Sequence, residues 1–146
     1  MNKKKVVLAD FPFTLNLRVS WGQMDAFRHV NNTVFIRFFE DVRIAYFERA
    51  SLSYSEMNSI GPILAEVSCK FIRPIHYPEE VIAAASVSVL EEDRFRMAYG
   101  LFSQKDERCY AIGEGVVMAY DYAKGAKVNV PELWCDGIKT INKNLS

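Results

Sequence analysis

The chain has 146 residues, a length that suits one domain with a sizeable core. Half of its residues are hydrophobic and 25% are charged, as in an ordinary globular protein. Its 18 basic residues equal its 18 acidic ones, so net charge gives no reason to expect nucleic acid or an anionic membrane as partner. The sequence contains no membrane-length apolar run and no signal-peptide core after the N-terminal lysines.

Three cysteines, Cys69, Cys109 and Cys135, are scattered without metal-site spacing. This pattern is typical of reduced, buried or half-buried thiols, so we expect a cytoplasmic protein without a structural metal. We interpret residues 1–146 as a single domain whose first 12 residues form a loose arm.

The first regular element is predicted at residues 13–21, where apolar and polar residues strictly alternate. Alternation of this kind indicates a strand with one buried face, here ending at Trp21. Residues 21–30 follow without a steady period, and they mix Asp25, Arg28 and His29 with apolar residues. This stretch is expected to be a loop.

A long helix is predicted next, because Asn31 and Asn32 are both good helix caps and apolar residues then recur at helical spacing up to Ala50. This helix is apolar around most of its circumference, which is typical of a helix that is surrounded by other elements. Glu40 lies on it among apolar neighbours, and an ion pair with Arg43 at i+3 would satisfy the carboxylate.

The rest of the chain carries four strand signals, at residues 63–71, 81–90, 95–101 and 109–120. Short polar stretches at 91–93 and 104–107 predict hairpin turns between antiparallel neighbours. Gly113 and Gly115 predict a bulge or bend in the last strand. Pro131 marks the start of a short C-terminal helix.

The order of elements predicts an α+β fold, in which a five-stranded antiparallel sheet wraps around one long central helix and a short helix follows. Five strands cannot cover such a helix completely, and the sheet edges stay open. We therefore expect a homodimer or homotetramer.

Two features carry a family resemblance: the order of elements and the motif D-A-F-R-H-V-N-N-T-V-F-I-R-F-F-E-D-V-R. In both, the chain resembles the hotdog-fold acyl-CoA thioesterases of the 4-hydroxybenzoyl-CoA thioesterase-like family. The match is best to the short-chain acyl-CoA branch of that family. The stretch E-V-S-C-K-F-I-R-P is similar to the second strand of that family. The chain departs from the family pattern at Arg28, where Gly is common, and at Phe35 and Phe38, where many members have Tyr. The matching positions are Asp25, His29, Val30, Asn31, Asn32, Phe39, Glu40 and Arg43.

The resemblance implies that Asp25 is a catalytic nucleophile or base and that an amide near Asn32 polarises the thioester carbonyl. A carboxylate and oxyanion donors are what thioester hydrolysis needs. From the residues alone, a loop aspartate that caps a turn is the favoured interpretation of Asp25, and only the resemblance reverses this preference. Unpaired amides at the helix start, from Asn31 to Thr33, form a site for developing negative charge.

His29 would orient the carboxylate, donate to the carbonyl or simply bond within its loop. Arg28 would narrow or recharge the pocket, and Arg73 is one of several cations available for the phosphates of coenzyme A. Glu40 is the runner-up catalytic carboxylate. His76, the other histidine, is expected to be exposed in a connecting loop.

The expected activity is hydrolysis of an acyl-CoA or acyl-carrier-protein thioester. It requires no cofactor, because coenzyme A is part of the substrate. The alternative, raised by Arg28, is a non-catalytic protein that binds acyl-CoA or an acyl chain. A hotdog hydratase ranks lower, since the histidine motif of such enzymes is not visible. The acyl group, the carrier and the choice between dimer and tetramer stay open.

Overall fold

The computed structural model describes residues 5–52 and 59–145. In this part of the chain a curled antiparallel sheet wraps around one long helix and a short helix follows, so the expected hotdog architecture is confirmed. The elements are β1 (Phe13–Arg18), α1 (Asn32–Ala50), β2 (Ile60–Phe71), β3 (Glu80–Leu90), β4 (Arg94–Ser103), β5 (Cys109–Asp121), the two-residue β6 (Ala126–Lys127) and α2 (Glu132–Ile141).

The sheet has the strand order β1-β3-β4-β5-β2, and β6 pairs with the end of β5. All pairings are antiparallel, and the two expected hairpin turns join β3 to β4 and β4 to β5. Strand β2 therefore forms one edge of the sheet. It exposes large apolar side chains on both faces, including Ile63 (37% exposed), Leu64 (37%) and Phe71 (48%).

Helix α1 lies against the concave face of the sheet. Its apolar stripe is buried there and supplies much of the core. At its C-terminal end Ser51 adopts the left-handed conformation, with φ of 62°. Within one chain the helix is not covered all round, since Ile44 stays 48% exposed.

The prediction that the first strand runs to Trp21 is wrong. Strand β1 ends at Arg18, and Trp21 starts a single 3-10 turn with its side chain 71% exposed. The Gln23 side-chain oxygen accepts from the Ser20 N–H at 2.8 Å and closes this turn. A local side-chain bond thus outweighs the alternating pattern.

Of the bulge or bend expected at Gly113 and Gly115, the bulge is absent, because β5 pairs with β2 and β4 without a shift at either glycine. The two glycines make space instead. A Cβ at Gly113 would lie 2.4 Å from the Phe39 ring, and one at Gly115 would lie 3.0 Å from the Tyr99 hydroxyl. They let Phe39 of α1 stack on Tyr99, with ring centroids 5.0 Å apart.

The two ends of the chain pack on different faces of the sheet. Of the expected N-terminal arm, residues 1–4 lie outside the described residues, while Phe11 packs on Phe102 of the outer face. At the other end, Asn142 follows α2 and anchors it to the core. Its side-chain oxygen accepts from the Tyr46 hydroxyl at 2.6 Å and from the Val87 N–H at 3.1 Å.

Candidate functional site

The loop before α1 is a tight hairpin, which we call the 24–30 hairpin. Met24 and Val30 pair as an antiparallel bridge. Inside it, the Asp25 N–H donates to the His29 carbonyl at 2.8 Å, and the Arg28 N–H donates to the Asp25 carbonyl at 3.0 Å. Arg28 is left-handed, with φ of 64°, as the third residue of such a three-residue loop must be. The hairpin sets Asp25 opposite His29.

The Asp25 carboxylate is half-buried and held by one oxygen. Its Oδ1 accepts from the Phe27 N–H at 2.8 Å, which is the turn-capping role that the residue pattern allows. Within the described residues Oδ2 accepts no hydrogen bond. The carboxylate can therefore cap its turn and still offer one oxygen to a ligand.

The start of α1 leaves one amide unused. The Asn31 side chain caps the helix by accepting from the Thr33 N–H at 2.9 Å, and it also accepts from the Thr33 hydroxyl. The Val34 N–H bonds to the Asn31 carbonyl. In the described part of the chain the Asn32 N–H meets no acceptor. This donor lies at the positive end of the helix dipole.

Asp25 and the start of α1 open onto one groove of about 370 Å³. The wall opposite the helix comes from the end of β2 and the residues after it, where the Phe71 ring meets the Phe35 ring edge-on at 5.0 Å. The groove thus has a polar side and an apolar side. Its lining consists of Asp25, His29, Val30, Asn32, Phe35, Phe71, Ile72, Arg73 and Pro74.

Backbone hydrogen bonds join the two sides of this groove. The Val30 N–H donates to the Ile75 carbonyl at 2.8 Å, so the hairpin and the loop after β2 are tied together. Arg73 lies on that loop, half-buried, and its guanidinium donates to the Cys109 carbonyl at 2.7 Å. The remaining guanidinium N–H groups are available to a ligand.

The two histidines meet at the groove mouth, a contact that sequence analysis missed. The ring centroids of His29 and His76 are 4.8 Å apart, with planes at 81°. The His76 Nδ1 lies 3.4 Å from one oxygen of Glu79, and the Tyr110 hydroxyl donates to the other. Burial, together with the Glu79 carboxylate, raises the pKa of Tyr110. His76 is exposed, as expected.

Four of the predicted site residues do not line the groove: Arg28, Asn31, Thr33 and Glu40. The Arg28 side chain is exposed at the hairpin tip. Glu40 lies eight residues beyond Asn32, about 12 Å further along the helix axis. Its carboxylate pairs with Arg37 at 2.8 Å and more loosely with the buried Arg43 at 3.8 Å, so the expected pair with Arg43 is the weaker of two. This geometry favours a structural role for Glu40.

Residues 5–52 and 59–145 contain no group of three or more His, Cys, Asp or Glu side chains that could hold a metal ion. The three cysteines are free, with Cys109 buried and the other two half-buried. No helix in these residues is long and apolar enough to cross a membrane.

Comparisons with known proteins identify the family of the chain and its fold. The sequence model of the Thioesterase-like superfamily matches residues 19–137. The uncharacterized protein YsmA of Bacillus subtilis (strain 168) is 25% identical over 126 residues, which cover 86% of this chain and 82% of the relative.

Two solved structures are similar over most of the chain. A thioesterase from Thermus thermophilus, complexed with coenzyme A and Zn, is 26% identical and has a TM-score of 0.81, covering 93% of this chain and 98% of its own. A thioesterase superfamily protein from Jannaschia sp. CCS1 has a TM-score of 0.85 at 24% identity, covering 94% and 87% of the two chains, and shows the shared fold.

Proposed function

The chain belongs to the thioesterase-like superfamily, and from this premise we propose that it hydrolyses an acyl-CoA thioester in the groove beside the 24–30 hairpin. One observation carries the proposal: a free oxygen of the Asp25 carboxylate and the unused Asn32 amide open onto the same groove. The coenzyme A in the T. thermophilus relative supports this carrier, with an acyl-carrier protein as the alternative.

In the proposed reaction, Asp25 accepts a proton from a water molecule as the water oxygen attacks the thioester carbonyl carbon. The carbonyl electron pair moves to oxygen, where the Asn32 N–H and the helix dipole stabilise the charge. Collapse of the intermediate breaks the C–S bond, and the leaving thiolate takes the proton back from Asp25. Alternatively, Asp25 attacks directly and water hydrolyses the resulting anhydride. Labelled water oxygen in Asp25 after a single turnover would establish the anhydride route, with water attacking the Asp25 carbonyl.

The other groove residues take supporting roles in this proposal. His29 donates to or orients the bound thioester, while Asn31 and Thr33 hold the helix start in place. Arg73 receives a phosphate of coenzyme A through its unused N–H groups. The apolar wall around Phe71 receives the acyl group.

A second copy of the chain would complete the structure along β2, as the homo-oligomer expectation requires. Among the described residues no strand pairs with the outer edge of β2, which also exposes apolar side chains such as Leu64. Antiparallel pairing of two such edges is a two-fold contact. Light scattering on the 16.7 kDa chain tests this. We expect a multiple of that mass, reduced by Leu64→Lys and unchanged by Val89→Lys, which alters an exposed residue of β3.

The binding-only alternative rested on Arg28 as an obstacle in the pocket. The side chain of Arg28 is exposed at the hairpin tip and does not line the groove, which supports the catalytic proposal over the binding-only alternative.

Free-thiol release from a panel of acyl-CoAs, short to long and aliphatic to aromatic, tests the proposed function. Asp25→Asn keeps an oxygen for the Phe27 N–H and removes the base, so we expect the rate to fall at least ~100-fold. Asp136→Asn, on the exposed face of α2, is the matched control and should be as fast as wild type. A wild type that cleaves no thioester, or an equally fast Asp25→Asn, would overturn the proposal.

A further inference from the structure

The contact between the two histidine rings joins the groove to His76, a residue that has no assigned role. His29 lies on the 24–30 hairpin, and His76 lies on the loop between β2 and β3. The edge-to-face arrangement, at 4.8 Å and 81°, is a favoured geometry for two aromatic rings. The backbone bond from Val30 to Ile75 holds the two loops at this distance.

His76 is also held by a second contact, with Glu79. Glu79 lies three residues on, its N–H donates to the His76 carbonyl at 2.9 Å, and its carboxylate faces the His76 Nδ1. The other oxygen of that carboxylate accepts from the Tyr110 hydroxyl on β5. The anchor therefore reaches from an exposed loop into the sheet.

His29 has no comparable anchor of its own. Its side chain is exposed and forms no hydrogen bond within the described residues. An exposed ring without a neighbour would exchange between rotamers. Contact with the anchored His76 ring removes part of that freedom, and it does so at the groove mouth opposite Asp25.

We propose that His76 is a positioning residue for His29. Tyr110 holds the Glu79 carboxylate, Glu79 holds the His76 imidazole, and the His76 ring sets the plane of the His29 ring against the bound thioester. The proposal rests on the proposed function, since His29 matters here only as a groove residue.

A double-mutant cycle on acyl-CoA hydrolysis tests it. His76→Ala should lower kcat about ten-fold, because misplacement of a group at the reacting centre costs rate. KM should change less than about two-fold, since His76 does not touch the substrate. In the His29→Ala background, His76→Ala should cause no further loss, because residues that act through one another are non-additive. Additive losses would mean that His76 acts independently, which overturns the proposal.

Conservative variants and a control sharpen the cycle. His76→Phe keeps the ring but not the anchor and should recover part of the lost kcat. Glu79→Gln keeps the shape but replaces one carboxylate oxygen with an amide NH2 and removes the charge that faces the His76 Nδ1, so it should lower kcat in the same direction. Glu80→Gln changes the adjacent exposed carboxylate and should leave kcat unchanged. Equal effects of the two glutamine variants would count against the anchor.

A spectroscopic readout separates this proposal from the proposed function. The chain has only two histidines, so a nuclear Overhauser cross-peak between imidazole rings has one assignment. We expect it in the wild type. A wild type that hydrolyses no thioester overturns the proposed function, and the contact between His29 and His76 then has no catalytic role. An active wild type without the cross-peak overturns the positioning role alone.

Discussion

Arg28 occupies a backbone position made for glycine, and replacing it with glycine should stabilise the protein without loss of activity. Its φ of 64° places a bulky side chain in the left-handed region. The exposed side chain does not line the groove. Arg28→Gly therefore relieves the backbone and removes nothing that the proposed reaction uses.

The size of the effect follows from two opposing terms. A non-glycine residue in the left-handed region costs about 1–2 kcal/mol. Against this, glycine lowers the free energy of unfolding by roughly 0.5–1 kcal/mol relative to other residues, because the unfolded chain has more conformational freedom at a glycine. The free energy of unfolding should thus rise by about 0.5–1 kcal/mol, which for a chain of this length shifts Tm by about 1–4 °C.

Urea unfolding and free-thiol release should be measured on Arg28→Gly beside two controls. Arg28→Ala removes the guanidinium but keeps the left-handed strain, so its stability and activity should match the wild type. Ser51→Gly relieves the same strain, at φ of 62°, at the other end of α1 and should gain similar stability. If Arg28→Gly is no more stable than Arg28→Ala, the backbone argument is refuted. If Arg28→Ala is inactive, the side chain belongs to the site after all.

Three further predictions concern stability. Gly113→Ala should lower the free energy of unfolding in urea by about 1–3 kcal/mol, because its Cβ would meet Phe39, whereas Gly22→Ala, with open space around it, should not. Asn142→Ala should cost about 2–3 kcal/mol by the same measurement, since the Tyr46 hydroxyl and the Val87 amide lose their acceptor; an unchanged midpoint would contradict the anchoring role. Hydrogen bonds from Ser59 and from the turn amides hold the pKa of Asp121 below its usual range. Asp121 should therefore stabilise the fold above about pH 4 and lose this effect as pH falls through its folded pKa, and Asp121→Asn should flatten that part of the stability–pH curve.

The strands and the long helix could be predicted to within a few residues because their signals are local. Alternation marks β2 and β4, and helical spacing after Asn31 marks α1. The errors arise where a contact outside the pattern decides. A Gln23 side-chain bond ends the strand before Trp21, and Gly113 is explained only once the Phe39 ring is docked against it.

The candidate site divides in the same way. Residues from Asp25 to Asn32 could be proposed from sequence because they are contiguous and match a family motif. His76 and Tyr110 carry no such signal, since only the folded sheet brings them to the hairpin. The positive φ of Arg28 gives a physical reason for the glycine that is common in the family at this position.

The groove also separates two tasks along the chain. Every group that we assign to bond breaking lies within residues 25–32, on a hairpin and a helix start that are closed by their own backbone bonds. The apolar side comes from Phe71 and Ile72, near the free edge of the sheet. Substitutions at the sheet edge can therefore retune which acyl group is accepted while the reacting groups keep their geometry. Such a division lets one scaffold diverge in substrate preference by changing a few residues on a single strand end.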